Sequence, residues 1–279
     1  MPLLERFILR ALAAIGALLL WSLVWGLLEA RSDPVVRRAD LSLADWPAGA
    51  APLRVALLSD IHAGTPTVSP ERLARVVAQV NAQKPDLILI AGDFTPARDP
   101  IEVHGVRAML APLGRLHAPL GVVAVLGNHD HWTGAGPVRD ALQGAGIVVV
   151  ANQAIVRGPL VIGAVDDDYS NHAKVATTLA AARRLYGARL VLTHSPDIAP
   201  ALPSDFPLLL AGHTHCGQAV IPFWGSVDPV SRFGDRYRCG IIREGTRTVV
   251  VTAGIGTSGP PLRFNARPDW WLLTLGPPR

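Results

Sequence analysis

A series of short apolar runs, separated by polar and helix-like stretches, constrains the fold of this chain most. Each run is too short for a helix, is rich in valine, isoleucine and leucine, and is bounded by glycine, proline or aspartate. Because the runs are apolar on both faces, they are typical of strands buried between two layers. The runs cover residues 53–59, 86–92, 121–127, 147–150, 159–165, 189–194, 207–212, 248–254 and 270–275.

Helical patterns alternate with these runs. Ser69 is a suitable N-cap, Pro70 fits the first helical position, and apolar residues follow at helical spacing. The alternation predicts an α/β sheet covered by helices, while residues 189–275 contain little helix and predict a second sheet. Further helices are expected around residues 101–111, 137–145 and 172–186.

The N-terminal segment is the most apolar part of the chain. Residues 11–28 carry no charge and, at about 1.5 Å per residue, can cross a hydrocarbon core of about 30 Å as a helix. We interpret the segment as an uncleaved anchor; a cleaved signal peptide and a buried core helix are the alternatives. Arginines flank both ends in similar numbers, so the side of the membrane that holds the body stays open.

This segment suggests a division of the chain into three parts. We expect a membrane anchor over residues 1–30, a body over residues 53–279, and between them a polar, proline-broken segment that forms a linker or a peripheral strand. The expected location is the inner (plasma) membrane, with a single N-terminal crossing.

Composition excludes several classes of protein. Of the 279 residues, 49% are apolar and 17% charged, which excludes general disorder. The net charge of +4 is small and scattered, so no nucleic-acid partner is expected. Cys216 and Cys239 can form one disulfide or none, and we interpret Cys216 as a small packing residue.

Polar side chains that can bind metals follow five of the predicted strands. In open α/β sheets ligands bind beyond the carboxyl ends of the strands, so these side chains are expected to converge. Carboxylate, amide oxygen and imidazole ligands together suit Mn, Fe, Zn or Co. The residues are Asp60, His62, Asp93, Asn128, His129, Asp130, His194, His213 and His215.

The motifs around these residues resemble those of the calcineurin-like metallophosphoesterases. The pattern D-x-H, G-D, G-N-H-D, a lone H and G-H-x-H stands at 60–62, 92–93, 127–130, 194 and 212–215, and the resemblance covers about residues 53–275. It implies a four-layer αββα sandwich. The contexts THSPD, GHTHCGQ and GIGTSGPPLRF are similar to membrane-associated bacterial phosphodiesterases, a subgroup that includes enzymes acting on UDP-2,3-diacylglucosamine.

The resemblance also implies a role for each site residue. Two divalent metals are expected, with manganese favoured, and His129 would face the substrate as the catalytic acid. Some relatives carry an aspartate that supports this histidine where Pro96 stands here, so the partner of His129 is open. The first metal would be held by Asp60, His62 and His215, the second by Asn128, His194 and His213, and Asp93 would bridge them.

The resulting hypothesis is a membrane-anchored, two-metal phosphodiester hydrolase. Its substrate would be a lipid-linked or envelope phosphodiester or pyrophosphate such as UDP-2,3-diacylglucosamine. A phosphomonoesterase and a non-catalytic metal-binding module of the same fold are the alternatives. Residues 221–239 mix aromatics and arginines and are the candidate region for substrate specificity.

Overall fold

The computed structural model describes residues 3–96 and 103–278. The α-helices are α1 (Leu3–Arg31), α2 (Pro70–Ala82), α3 (Val103–Leu110), α4 (Asn128–Gly144) and α5 (Val175–Arg183). The strands are β1 (Val35–Ser42), β2 (Leu53–Leu58), β3 (Leu87–Ala91), β4 (Val122–Val125), β5 (Val148–Val149), β6 (Gln153–Arg157), β7 (Leu160–Ala164), β8 (Ala188–Leu192), β9 (Leu208–Ala211), β10 (Val220–Ile221), β11 (Gly225–Ser226), β12 (Gly240–Glu244), β13 (Arg247–Val251) and β14 (Asp269–Gly276).

Two six-stranded sheets form the centre of the fold. The first has the order β1-β14-β2-β3-β4-β5, and the second has the order β12-β13-β9-β8-β7-β6. Strands β2 to β5 are parallel to one another, as are β7, β8, β9 and β13. Every apolar run singled out in the sequence forms a strand. Parallel strands bring the carboxyl ends of β2, β3 and β4 to one edge of the first sheet.

The alternation of side chains along each strand produces three apolar layers. Leu57 and Leu89 point into the layer between the two sheets, while Leu58 and Ile90 point into the layer beneath α2, α3 and α4. A third layer, which includes Leu209, lies between the second sheet and α5. The order of layers is therefore helix, sheet, sheet, helix, as the resemblance implies.

The last strand corrects one expectation. Residues 189–275 were expected to form the second sheet, but β14 pairs with β2, antiparallel, and with β1 in the first sheet. Both faces of β14 are apolar, with Trp270 under the helices and Trp271 between the sheets, which suits an interior strand. The second sheet instead begins before residue 189, with β6 and β7. Segment 31–52 contains β1, so the peripheral strand is the alternative that the structure shows.

The predicted helices form with shifted boundaries. Ser69 caps α2 by accepting a hydrogen bond from the Arg72 amide at 3.3 Å, and Pro70 is the first helical residue. The helix expected at 101–111 is α3, although residues 101 and 102 lie outside the described part of the chain. Helix α4 begins nine residues before the expected 137, at Asn128, and is interrupted at Gly134, where φ is +118°. Helix α5 lies within the expected 172–186.

Helix α1 is not a core helix of the body. It has 29 residues, and none of its most apolar window, with a mean hydropathy of 2.2, is buried. Only its last turns contact the body, where Gly26 and Ala30 are buried. The described residues therefore contain one helix long and apolar enough to cross a membrane.

Cys216 and Cys239 are joined in a disulfide. This corrects the interpretation of Cys216 as a packing residue alone, and the described chain holds no free cysteine. The bond connects the segment after β9 to the start of β12, across a sequence separation of 23.

We predict that the Cys216→Ser/Cys239→Ser double variant loses about 2–4 kcal/mol of free energy of unfolding, because the cross-link restricts the unfolded chain. Thiol labelling of the unfolded, non-reduced protein should modify no cysteine, whereas the Cys216→Ser control should expose one reactive thiol at Cys239. Two labelled cysteines in the wild-type protein would contradict the assignment.

Candidate metal centre

The candidate residues meet where five strands of the two sheets end. Asp60 and His62 follow β2, Asp93 follows β3, and Asn128 starts the helix after β4. From the second sheet, His194 follows β8, and His213 and His215 follow β9. All seven predicted metal residues are buried, with exposed fractions of 6% or less. The fold thus brings the whole predicted set to one edge of the sandwich.

Two motif glycines allow these loops to approach closely. A Cβ atom added to Gly127 would overlap the Asp93 carboxylate, and one added to Gly212 would overlap Ser59 and Asp60. An alanine at either position would push apart the segments that carry the polar side chains. The G-N-H and G-H-x-H motifs therefore need their glycines for space.

Asp60, His62 and His215 form one group of donor atoms. Asp60 Oδ1 lies 3.3 Å from His215 Nε2, and His62 Nε2 lies 3.3 Å from His215 Nε2. Asp60 Oδ1 is buried and has no hydrogen-bond partner in the described part of the protein. Ligands about 2.1 Å from one metal and at right angles to each other are about 3 Å apart, so a cation fits this group.

Asn128, His194 and His213 form a second group. Asn128 Oδ1 lies 3.1 Å from His194 Nε2, which in turn lies 3.2 Å from His213 Nδ1. Asp93 stands between the two groups, because its Oδ2 lies 3.5 Å from His62 Nε2 and 3.3 Å from His194 Nε2. The geometry therefore permits two cations that share one carboxylate.

Main-chain carbonyl groups fix the orientation of two of these rings. His62 Nδ1 lies 3.2 Å from the Thr95 carbonyl oxygen, and His194 Nδ1 lies 2.6 Å from that of Ala91. A carbonyl oxygen only accepts, so each Nδ1 carries the hydrogen. The Nε2 lone pair of the neutral ring then points to the centre, which is what a metal requires.

Burial and neighbouring charge set the protonation of the site. Burial lowers the pKa of His62 to about 4 and that of His213 to about 3, so both rings are neutral near pH 7. Burial also opposes charge on His194, but the Asp93 carboxylate raises the pKa of His194 well above its ordinary value. A cation at the second group would therefore displace a proton from His194.

His129 lies beside the two groups and faces the cavity. Its Nδ1 lies 3.1 Å from the Pro96 carbonyl oxygen, and its Nε2 lies 3.2 Å from Ser258 Oγ. The main chain of Pro96 thus takes the orienting role that an aspartate side chain has in some relatives. Ser258 lies in the GIGTSGPPLRF stretch noted in the sequence, but none of the metal motifs includes it, so the sequence did not assign its side chain to the site.

Asp130 holds the loops rather than the His129 ring. Its carboxylate accepts hydrogen bonds from the amides of Asp93, Phe94, Thr95 and Gly127 at 2.9–3.1 Å. It therefore ties the loop after β3 to the turn after β4. The G-N-H-D motif contained this residue, but its role depends on main-chain geometry that spacing does not reveal.

A cavity of about 390 Å³ opens over the two groups. Asp93, Asn128 and His213 lie among its lining residues, and Trp132 and Tyr169 form part of its wall. The Tyr169 ring packs on His213 with centroids 4.6 Å apart. Neither aromatic residue gave a sequence signal.

The region expected to determine specificity contributes in part. Val227 and Asp228 line the cavity. The three arginines of this region are each paired with carboxylates of the protein: Arg232 with Asp168 and Asp197, Arg236 with Glu244, and Arg238 with Asp235. These ion pairs give no support to a role in phosphate binding.

Known proteins resemble the chain over most of its length. It is 31% identical over 238 residues to the Bacillus subtilis metallophosphoesterase YkuE, covering 82% of this chain and 81% of that protein. It is 32% identical over 243 residues to the Escherichia coli phosphodiesterase YaeI, covering 84% and 86%. It is 31% identical over 264 residues to a Danio rerio transmembrane protein with a metallophosphoesterase domain, covering 88% of this chain but 58% of that protein.

The match to a family profile covers the part of the chain that carries the candidate site. The profile of the calcineurin-like phosphoesterases matches residues 53–217, a range that begins with β2 and ends just after His215. It therefore includes all seven candidate metal residues and His129. Together with donor groups suited to two divalent metals, this match shows that the chain belongs to the calcineurin-like phosphoesterase family and is a metal-dependent phosphoesterase.

Proposed function

We propose that the protein is a membrane-anchored phosphodiester hydrolase that uses two divalent metals. The position of the Asp93 carboxylate carries the proposal, since one oxygen lies within 3.5 Å of a ring nitrogen from each donor group. Asp93 would then bridge the metals. The first metal would be held by Asp60, His62 and His215, and the second by Asn128, His194 and His213. Carboxylate, amide and imidazole ligands together suit Mn, Fe, Zn or Co, and manganese is favoured among them on the family resemblance.

The chain's own residues complete the chemistry. Two divalent metals held there would stabilise the charge on the phosphoryl oxygens and lower the pKa of a bound water towards neutrality. His129, with Nδ1 held by the Pro96 carbonyl, presents Nε2 to the cavity and donates a proton to the leaving oxygen. Ser258 Oγ holds that nitrogen until the substrate takes its place.

The anchor and the disulfide guide the choice of substrate. Helix α1 suggests a substrate that is lipid-linked or lies in the cell envelope, and UDP-2,3-diacylglucosamine is one candidate. Disulfides persist in oxidising compartments, so the Cys216–Cys239 bond favours a body outside the cytosol. UDP-2,3-diacylglucosamine is a nucleotide-linked precursor, and such precursors are handled in the cytosol. The disulfide therefore favours a phosphodiester or pyrophosphate of the cell envelope over this candidate.

We expect the full-length protein in detergent to hydrolyse bis(p-nitrophenyl) phosphate when Mn²⁺ is added, and to hydrolyse p-nitrophenyl phosphate more slowly. Asn128→Ala removes an oxygen ligand and should abolish the Mn²⁺-dependent rate. Faster turnover of the monoester would favour the phosphomonoesterase. Absence of both activities in a folded protein that binds metal would favour the non-catalytic module.

The His129→Ala variant should retain two metals but lose about 10²–10⁴-fold in kcat, because a general acid contributes about that much. The loss should be larger for an alkyl leaving group than for p-nitrophenol, which departs without protonation. Metal content by mass spectrometry accompanies the rate measurement. A metal-free variant would instead make His129 a ligand.

The Asp93→Ala variant should bind neither metal tightly, because both lose the shared carboxylate. Asp205→Ala is the matched control, since Asp205 pairs with Arg183 on the surface and should leave the metal content unchanged. Two metals retained per chain in the Asp93 variant would remove the bridging role.

A further inference from the structure

An exposed apolar hairpin stands next to the catalytic cavity. Residues 219–227, called here the apolar hairpin, contain β10 and β11 and carry no charged side chain. The exposed fraction is 112% for Phe223 and 83% for Trp224 at its tip. Ile221 and Val227 are exposed by 52% and 60%. A group of large apolar side chains held in water marks an interaction surface.

The hairpin is attached to the body through residues 264 and 265. The Val220 amide donates to the Phe264 carbonyl oxygen at 3.0 Å, and Asn265 Nδ2 donates to the Val220 carbonyl oxygen at 2.9 Å. The two bonds fix the start of the hairpin to this strip of main chain.

The same strip holds the end of α1. The Arg263 amide donates to the Gly26 carbonyl oxygen at 3.1 Å. The Phe264 ring lies against Gly26, where a Cβ atom would be 2.6 Å from Phe264 Cζ. The start of the apolar hairpin and the last turns of α1 are therefore both held by residues 263–265.

The topology places both features at the catalytic edge of the sandwich. Helix α1 leads into β1, whose first residue, Val35, pairs with Asp269 at the start of β14. Because β14 is antiparallel to β2, this is the edge where β2 ends and where Asp60 follows. At the base of the hairpin, Ala219 and Val227 line the cavity itself.

We propose that the apolar hairpin inserts Phe223 and Trp224 into the surface of the bilayer that α1 spans, so that the cavity opens onto the lipid headgroups. The proposal rests on the membrane anchor of the proposed function and extends it to a substrate class: a phosphodiester carried by a membrane lipid. Aromatic side chains are favoured at the level of the headgroups. The hairpin supplies a second point of attachment, which fixes the body relative to the membrane.

Depth-dependent quenching tests the contact directly. Full-length protein is reconstituted in vesicles of phosphatidylethanolamine and phosphatidylglycerol, with or without bromine on the acyl chains. Subtracting the emission of Trp224→Phe from that of the wild type isolates Trp224, while Trp21 and Trp25 of α1 cancel. We expect the bromolipid to quench this difference signal and iodide in the water not to reach it.

Trp46→Phe provides the matched control. Trp46 is buried and donates to the Ala50 carbonyl oxygen beyond the far end of β1, away from α1. Its difference signal should be the same with and without bromine. If bromolipid does not quench the Trp224 difference signal, the proposal is overturned. This holds if iodide quenches the signal, which would place Trp224 in water, and also if neither agent does, which would indicate that a second copy of the chain covers Trp224.

Kinetics separate this proposal from the proposed function. The probes are bis(p-nitrophenyl) phosphate in solution and phosphatidyl-p-nitrophenol in vesicles, two diesters with the same leaving group. The Phe223→Ser/Trp224→Ser variant should keep its rate on the soluble diester and lose about tenfold or more on the vesicle diester, given the apolar area removed. Tyr186→Ser, which removes another exposed aromatic, should lose neither.

A wild-type protein that is active on the soluble diester alone overturns the lipid-carried substrate class. A wild-type protein inactive on both diesters contradicts the proposed function. A wild-type protein active on both, with the hairpin variant equally active on the vesicle diester, overturns the membrane contact alone.

Discussion

The Asp93 carboxylate is the point on which the site depends. Its Oδ1 accepts a hydrogen bond from the His129 amide at 2.9 Å, while its Oδ2 faces His62 and His194. His194 comes from the second sheet, whereas Asp93, His62 and His129 come from the first. The buried Asp93 carboxylate therefore contacts residues from both sheets. It reaches both donor groups and the main chain of His129, the proposed catalytic acid. A buried carboxylate needs compensating positive charge, which protonated His194 supplies and which a bound cation would supply in its place.

Several site residues adopt an unusual backbone conformation that brings their side chains together. Asp60, Asp93 and His213 have φ values of 51°, 58° and 71°, in a left-handed region that side chains other than glycine rarely adopt. Strain of this kind is maintained by the surrounding structure and is found at functional sites. Here the rigid parallel strands and the Asp130 hydrogen bonds supply that support.

The sequence predicted an element correctly where a local pattern of residues was enough to identify it. Buried strands such as β3 and β9 are continuous apolar runs, and their ends carry the recognised motifs, so both could be predicted. The edge strands β6 and β12 were missed because they mix polar and apolar residues. The sheet that β14 joins depends on long-range pairing with β2. The Pro96 carbonyl is a main-chain group, and no side-chain motif reveals the direction in which it points.

The most direct test of the account is anomalous diffraction from crystals of the protein grown with Mn²⁺. The account predicts two peaks about 3.5–4 Å apart. One should lie among Asp60, His62 and His215, the other among Asn128, His194 and His213, and both should lie within ligand distance of Asp93. A single peak, or two peaks of which only one contacts Asp93, would contradict the shared carboxylate on which the mechanism rests.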